Sequence, residues 1–424
     1  MRVNQLGYVP NRKKRAVSVD PSTTPLRWEL RDSAGAVVAE GETSVFGDDD
    51  ASGDHLHGVD FSAFTTPGAG YTLRVGTQVS HPFAVDEAIY RQLRYDALAY
   101  FYHNRSGTPI EAAYVGEAHA RPAGHVGVAP NRGDTEVPCA PGTDCSYTLD
   151  VAGGWYDAGD HGKYVVNGGI SVWTLMYLYE RTQHLGGSID RLADGTSNIP
   201  EHGNGIPDIL DEARWEMEFL LKMQVPDGEP LAGMVHHKIH DDSWTGLPMR
   251  PDQDPKQRVL RPPSTAATLN LAAAAAQSAR VWEAFDAAFA ARCLRAAERT
   301  WQAALANPAV YAPASDSEGG GAYNDENVSD EFYWAAAELY ATTGDAEYEA
   351  FLRQSPHFLA VSTMTWGSTQ ALGTLTLATA PNNLPKNDQD RARKNIAEAA
   401  TAFVATLNRQ GYRVPFAPAG DGKY

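Results

Sequence analysis

The chain of 424 residues is longer than one ordinary domain, so its length predicts two. Its hydrophobic content of 43% indicates a folded globular protein. No apolar run approaches the ~20 residues that a membrane span requires. The formal net charge of −18 argues against nucleic acid or an anionic membrane as a partner, because both would repel the chain. A neutral polysaccharide is compatible with this charge.

The first 86 residues show the alternation of half-buried β-strands. Leu26, Trp28 and Leu30 fall on one face of such a strand, and the turn sequence DSAG at 32–35 follows it. Short alternating runs of this kind, separated by turns, predict a small β-sandwich.

After residue 86 the hydrophobic period changes to that of helices. In NGIPDILDEARWEMEFLLKMQ, for example, apolar residues recur along one helical stripe. The sequence therefore predicts an all-helical domain over 87–424. Loops 106–153 and 225–263 are too long for simple connectors in a compact domain, and we expect them to build a functional site.

The three cysteines bear on the cellular compartment. Cys139 and Cys145 are close together in VPCAPGTDCSY, whereas Cys293 lies alone in an alanine-rich helix. The close pair fits a disulfide or half of a zinc site, and the lack of a second ligand pair favours the disulfide. A disulfide favours a secreted protein over a cytoplasmic one. The residues after Met1 do not form a signal peptide, so we expect that a signal has been removed.

The stretch GGWYDAGDHGKY at 153–164 places two aspartates, Asp157 and Asp160, on a glycine-rich loop among three aromatic rings. One interpretation is a turn that caps the following helix, a common role for aspartate. The other is acid–base chemistry on a sugar, in which two carboxylates hold a water and aromatic faces stack on pyranose rings. The residues alone leave both interpretations open.

The longer stretch GGWYDAGDHGKYVVNGG resembles the aspartate signature of the family 9 glycoside hydrolases, which are cellulases. VNQLGYVPNRKKRAV resembles the immunoglobulin-like module that precedes the catalytic domain in one branch of the family, and later helical segments resemble the family in the same order. The resemblance implies an all-β immunoglobulin-like sandwich over 1–86 and an all-α (α/α)6 barrel over 87–424. It implies inverting hydrolysis of β-1,4-glucan by an endoglucanase that needs no cofactor for its chemistry. Asp160 would be the general base, and Asp157 would help to hold the water.

Further substrate contacts are expected from aromatic and histidine residues near this loop and in the later loops. The expected substrate-binding residues are Trp155, Tyr156, His236, Trp244, Tyr323 and Trp366. For His236 a solvated loop histidine is the competing interpretation, and for Trp366 a core position between helices.

The segment NDENVSDE concentrates oxygen ligands at the start of a helix. Acids there complement the helix dipole without any metal. The resemblance adds a structural calcium ion, for which the expected ligands are Glu326, Asn327, Asp330 and Glu331. Gly367 follows Trp366 at a position where some relatives carry a further aspartate.

The resemblance also places the general acid of the family, a glutamate, beyond Tyr424, so we expect an incomplete barrel. If the acid lies within the chain, loop residues Glu318 and Glu326 are the first candidates. The competing functions are an exo-acting cellobiohydrolase or exo-glucosaminidase of the same fold, and a non-catalytic glucan-binding fragment. We expect a monomer whose partner is β-1,4-glucan, with neither nucleic acid nor a membrane as a partner.

Overall fold

The computed structural model describes residues 1–416. They form two compact units. The first contains Met1–Asp96 and the segment that begins at Ala397, and the second is Ala97–Ile396. Within residues 1–416, no helix combines the length and the apolar character that crossing a bilayer requires.

The first unit is a sandwich of two β-sheets, as the alternating pattern predicts. Its strands are β1 (Gly7–Tyr8), β2 (Arg15–Val19), β3 (Arg27–Arg31), β4 (Val37–Glu42), β5 (Ser44–Asp48), β6 (His55–Asp60), β7 (Gly68–Val75), β8 (Gln78–Val79) and β9 (Phe83–Val85). One sheet has the order β1-β9-β7-β3-β4 with β8 added to β7, and the other has the order β2-β6-β5. Trp28 and Leu30 point into the core between the sheets, where Leu26 packs at its margin.

Helices dominate residues 91–408. They are α1 (Arg91–His103), α2 (Ala112–Val115), α3 (Val165–His184), α4 (Asp208–Lys222), α5 (Thr265–Trp282), α6 (Ala287–Ala306), α7 (Ser329–Thr343), α8 (Ala346–Gln354), α9 (Gln370–Thr379) and α10 (Lys386–Asn408). The short strands between them are β10 (Val137–Pro138), β11 (Thr148–Leu149), β12 (Lys163–Tyr164), β13 (Val235–His236), β14 (Lys238–Asp241), β15 (Arg258–Leu260) and β16 (Pro263–Ser264).

Helix α5 is the centre of the second unit, where it contacts α3, α4, α6 and α7. Its run of alanines, 272–276, is fully buried, because side chains this small let neighbouring helices approach closely. Ser264 caps the helix, since its side chain accepts a hydrogen bond from the Ala267 amide. Helices α7, α8 and α9 continue this packing and enclose one large hydrophobic core.

The two long loops of the second unit are tied down by short strands. Strands β12, β14 and β15 form one antiparallel sheet, and β10 pairs with β11. The structure joins Cys139 and Cys145 in a disulfide with Cα atoms 5.8 Å apart, as their spacing predicts, and Cys293 is free and buried. This framework holds the glycine-rich loop that precedes α3.

Candidate active site

A cavity of about 390 Å³ opens beside the glycine-rich loop. Its wall combines the end of α1, the loop, the first turns of α3 and the segment before α9. The lining residues are Tyr100, Phe101, Asn104, Trp155, Tyr156, Asp157, Tyr164, Asn167, Gly168, Ile170, Ser171, Glu216, Thr365 and Trp366. Aromatic rings and carboxylates therefore share one concave surface, which is a common composition for a ligand site.

Both carboxylate oxygens of Asp157 are occupied by neutral donors. The Asn167 side-chain amide donates to Oδ1 at 2.8 Å, and the Tyr323 hydroxyl donates to Oδ2 at 2.6 Å. The Asp157 backbone amide also donates to the carbonyl of Gly162, which closes the loop on itself. Asp157 is thus an ionisable group with a fixed orientation at the cavity wall.

Asp160 is held through one oxygen. The Gly162 amide donates to its Oδ2 at 3.1 Å, and the Tyr164 hydroxyl donates to the same atom at 2.6 Å. Burial, followed by the charge of Asp160, raises the Tyr164 pKa, so this hydroxyl keeps its proton and acts as a donor. A Cβ at position 162 would collide with the Tyr164 hydroxyl and with Asp160, which explains the glycine. Within residues 1–416 no hydrogen bond reaches Oδ1 of Asp160, and Asp160 itself is not among the residues that line the cavity.

The two aspartates meet through their tyrosine partners. The rings of Tyr164 and Tyr323 contact each other edge to face, with centroids 4.7 Å apart, and each hydroxyl holds one carboxylate. The Gly162–Asp160 bond forms a turn of the kind that the capping interpretation predicts, but neither aspartate caps α3. The N-cap of α3 is Tyr164 and makes no side-chain cap bond, and the Asp157 side chain bonds a side-chain amide instead.

Among the predicted aromatic contacts, Trp366 is the best placed. It lines the cavity, is partly exposed, and packs edge to face on Tyr323 with centroids 5.3 Å apart. Trp155 and Tyr156 also line the cavity but are almost completely buried. Their polar atoms bond Glu212 and His125, so they support the wall and offer little free ring surface.

Three predicted substrate contacts, His236, Trp244 and Tyr323, are not among the residues that line the cavity, and the prediction for His236 is wrong. His236 on β13 is fully buried. Its Nδ1 bonds the Arg261 carbonyl, and its Nε2 bonds the Tyr147 hydroxyl. Burial lowers the His236 pKa to about 4. Trp244 is 54% exposed on the loop after β14, and its contact with substrate stays a prediction.

The expected calcium ligands divide into two pairs. Asp330 and Glu331 are buried at the start of α7, and neither Glu331 oxygen has a hydrogen-bond partner within residues 1–416. Burial, followed by the Asp330 charge, raises the Glu331 pKa well above its usual value. Buried carboxylate oxygens without donors fit a hard cation such as calcium, which prefers oxygen ligands.

The other pair, Glu326 and Asn327, does not fit. Both residues are exposed, and Asn327 Oδ1 accepts a hydrogen bond from the Ser329 hydroxyl at 2.7 Å. Asp325 in the same segment is partly buried, and burial raises its pKa. The sequence places all these acids together, and the fold buries some of them and leaves others at the surface.

Sequence reasoning missed the role of Glu216. This residue of α4 is fully buried, and its Oε2 accepts a hydrogen bond from the Trp155 amide at 2.6 Å. Burial raises the Glu216 pKa to about 8. It therefore supports the glycine-rich loop as a neutral acid. Glu318 and Glu326, the candidates for an internal general acid, are both exposed and do not line the cavity, so the structure does not support them.

Tyr100, Tyr164 and Asn167 were also absent from the predicted contacts. Tyr100 is 53% exposed at the end of α1, and its hydroxyl donates to the Asp157 carbonyl at 3.2 Å. Tyr164 and Asn167 belong to the quoted GGWYDAGDHGKYVVNGG stretch, so their proximity in sequence could have indicated them. No local signal marks Tyr100, which precedes Asp157 by more than fifty residues.

A β-sandwich followed by a helical unit, with Asp157 at an aromatic cavity and Asp160 bonded to the cavity residue Tyr164, is typical of a glycoside hydrolase. Residues 90–420 match the sequence model of glycosyl hydrolase family 9, and residues 1–80 match that of the cellulase N-terminal ig-like domain. The chain belongs to glycosyl hydrolase family 9. The predicted family and its fold, an immunoglobulin-like domain before an (α/α)6-type catalytic domain, are confirmed.

Two curated relatives are similar over the entire chain. The "Cellulose 1,4-beta-cellobiosidase" of Acetivibrio thermocellus is 53% identical over 99% of this chain and 51% of its own length. "Endoglucanase C" of Cellulomonas fimi is 54% identical over 100% of this chain and 39% of its own length. The chain thus spans about half or less of each relative. Among solved structures, "Bacteroides ovatus GH9" has a TM-score of 0.85 at 29% identity, covering 99% of this chain and 76% of that one.

Proposed function

We propose that the protein hydrolyses internal β-1,4-glucosidic bonds of cellulose or a related β-glucan with inversion of configuration. The observation that carries this proposal is the unequal engagement of the two aspartates. Donors occupy both oxygens of Asp157, whereas Asp160 receives its two donors on Oδ2 alone. An oriented carboxylate with one oxygen available is suited to take a proton from water.

In the proposed reaction Asp160 is the general base. Its Oδ1 takes a proton from a water molecule, whose oxygen attacks the anomeric carbon from the face opposite the leaving group. Asp157 fixes the position of that water. The bond between the anomeric carbon and the glycosidic oxygen breaks, and a carboxylic acid on the other side of the bond protonates the leaving oxygen. Trp366 and Tyr100 offer ring surface for the neighbouring sugar.

The exo-acting alternative is kept because one of the two similar relatives is named a cellobiosidase. One relative above 50% identity is named a cellobiosidase and the other an endoglucanase, so the family alone does not choose between the two modes. On a soluble cellulose derivative, an endo-acting enzyme lowers the viscosity quickly while it produces few new reducing ends. An exo-acting enzyme releases cellobiose while viscosity stays high.

We also propose that the protein is secreted and carries a structural calcium ion. The Cys139–Cys145 disulfide supports an oxidising compartment, and a polymeric substrate is met outside the cell. Asp330 and Glu331 would hold the ion, and the charge of Asp325 lies close enough to affect Glu331. Calcium would neutralise buried charge at the start of α7 and has no part in the bond cleavage.

The test uses 2,4-dinitrophenyl β-cellobioside, because dinitrophenolate leaves without a proton and the rate then depends on the base. We expect the first sugar product to be the α-anomer by NMR. We expect Asp160→Asn to lower kcat by ~10²–10⁴-fold. The matched control is Asp150→Asn, a carboxylate near Lys222 on the surface, which should keep the parent rate. A β-anomer as first product, or an unchanged rate in Asp160→Asn, would contradict the proposal.

A further inference from the structure

The residue after the proposed base enters a buried charged network. His161 is 4% exposed, and its Nδ1 lies 2.5 Å from Oδ2 of Asp254, which is fully buried. Asp254 accepts a second hydrogen bond from the Lys256 amide at 3.0 Å. Burial alone would raise the Asp254 pKa, but the bonds from His161, Asp241 and Lys256 outweigh it and lower the pKa. Asp254 is therefore an ionised acceptor for His161.

The network continues through Asp241 and Arg258. The Thr245 hydroxyl donates to Asp241 Oδ2 at 2.7 Å and reaches Asp254 Oδ2 at 3.3 Å, so it links the two carboxylates. Arg258 donates to Asp241 Oδ1 at 2.8 Å. Burial raises the Asp241 pKa, against the effect of Arg258. A buried carboxylate without such partners costs free energy. The loss of one bond in this network would therefore destabilise the neighbouring charged groups as well.

The same network also holds Lys163, which lies two residues after His161. Arg258 Nε donates to Asp134 Oδ1 at 2.9 Å, and Lys163 Nζ lies 2.8 Å from Asp134 Oδ2. Lys163 Nζ also donates to the Gly153 carbonyl at the start of the loop, at 2.8 Å. The stretch that follows Asp160 is thus held at two points by one closed set of buried charges.

A second imidazole anchors the other side of the loop. His125 Nδ1 lies 2.6 Å from the hydroxyl of Tyr156, which precedes Asp157, and its ring contacts the His161 ring with centroids 5.5 Å apart. The His125 side chain is buried, and its Nε2 has no hydrogen-bond partner. Burial, followed by the Arg258 charge, lowers the His125 pKa to about 2, so this imidazole is neutral.

The ligand atoms of His125, His161 and Asp254 all lie within 4.8 Å of one another, a spacing that raises the possibility of a metal ion. A hydrogen bond explains the group better. Two ligands of a tetrahedral ion at ~2.0–2.1 Å lie about 3.3 Å apart, whereas His161 Nδ1 and Asp254 Oδ2 are separated by 2.5 Å. Arg258 and Lys163 also supply positive charge nearby, which disfavours a further cation.

We propose that His161, held by Asp254, is a positioning residue for Asp160. This inference rests on the proposed function of Asp160 as the base. Asp160 is fixed through one side-chain oxygen only, so the direction of its free oxygen depends on the backbone beside it. The His161–Asp254 bond sets that backbone, and a misplacement of about 1 Å costs on the order of 10²-fold in rate.

The experiment compares two variants of the full chain with 2,4-dinitrophenyl β-cellobioside. His161→Leu fills a similar volume without a donor, and we expect kcat to fall by about 10–100-fold with KM nearly unchanged. In His161→Asn the amide nitrogen can replace Nδ1 as the donor to Asp254, and we expect it to recover most of the lost kcat. Equal losses in the two variants, or a change in KM alone, would overturn the proposal.

Asp254→Asn keeps the shape of the acceptor but removes its charge, and it serves if His161→Leu does not fold. It should lower kcat with KM nearly unchanged, because a neutral amide holds the imidazole less firmly than a carboxylate does. A kcat equal to that of the parent would overturn the proposal. Failure of the proposed function is seen separately, since the unmodified chain would then show no turnover or Asp160→Asn would show no loss. The inference is assessed only against an active parent.

Discussion

Two acidic clusters in the helical unit stabilise their carboxylates in different ways. Around Asp157 and Asp160, neutral donors from Asn167, Tyr323 and Tyr164 satisfy the carboxylate oxygens. At the start of α7, the fully buried Glu331 has no donor at either oxygen. Neutral donors fix the orientation of a carboxylate, whereas a buried carboxylate without donors needs a cation or a proton of its own. The first arrangement suits catalysis, and the second suits metal binding.

Glu216 shows a third way to compensate a carboxyl group in the interior, which is to keep its proton. It is fully buried at the cavity wall and has one donor, the Trp155 amide. Its pKa is raised to about 8, so below that pH it avoids the cost of a buried charge by keeping its proton. Donors and a proton therefore compensate two of these carboxylates, and we propose a cation for the third.

The largest effect is expected from calcium. If calcium binds only the folded protein, it stabilises that state by mass action, by about 4 kcal/mol at a thousandfold excess over Kd. We expect Tm to rise when calcium replaces EDTA. Glu331→Gln keeps the shape of the side chain but removes its charge, and its Tm should respond much less.

The matched control for this measurement is Glu283→Gln. Glu283 is an exposed glutamate at the end of α5, and this variant should respond to calcium as the parent does. Identical melting curves of the parent in EDTA and in calcium would show that the buried acids are compensated in another way. The proposed difference between the two clusters, donors in one and a cation in the other, would then be wrong.

The next effect concerns Glu216 and pH. Because its pKa is raised from 4.5 to about 8 in the folded state, the folded protein binds more protons than the unfolded chain between these values. The free energy of unfolding therefore decreases as pH rises through this window, by a few kcal/mol. Glu216→Gln cannot ionise and should show a flatter profile in urea unfolding between about pH 5 and pH 8. Parallel profiles for the parent and the variant would contradict this account.

Much of the fold could be predicted from local sequence patterns. The alternation in residues 1–86 and the helical stripes after it reflect which side chains must be buried, and these patterns are visible within a few residues. The loop with Asp157 and Asp160 was identifiable for the same reason, since its glycines, rings and acids are adjacent. Its partners Asn167 and Tyr164 lie within ten residues of Asp157.

The errors concern properties that depend on distant segments. His236 seemed available for substrate, but strand β13 places it in the interior beside Tyr147 and Arg261. Glu326 and Asp330 read alike in NDENVSDE, yet the fold buries only the second. Burial is decided by the elements that pack over a segment, and these are not visible in its own sequence.

The smallest effect is expected when one of the neutral donors to Asp157, the Tyr323 hydroxyl, is removed. Tyr323 donates to Asp157 Oδ2 at 2.6 Å, and its pKa is raised to about 12, first by burial and then by that bond, so the hydroxyl keeps its proton. Tyr323→Phe should leave the ring against Trp366 and remove only the hydroxyl. We expect kcat to fall about tenfold, which corresponds to about 1.4 kcal/mol, with Tm and the calcium response little changed. Tyr311→Phe, at an exposed tyrosine, is the control. An unchanged kcat in Tyr323→Phe would show that this neutral donor does not hold Asp157 in place. A lost calcium response in the same variant would show that the hydroxyl acts on the acidic cluster at the start of α7 instead.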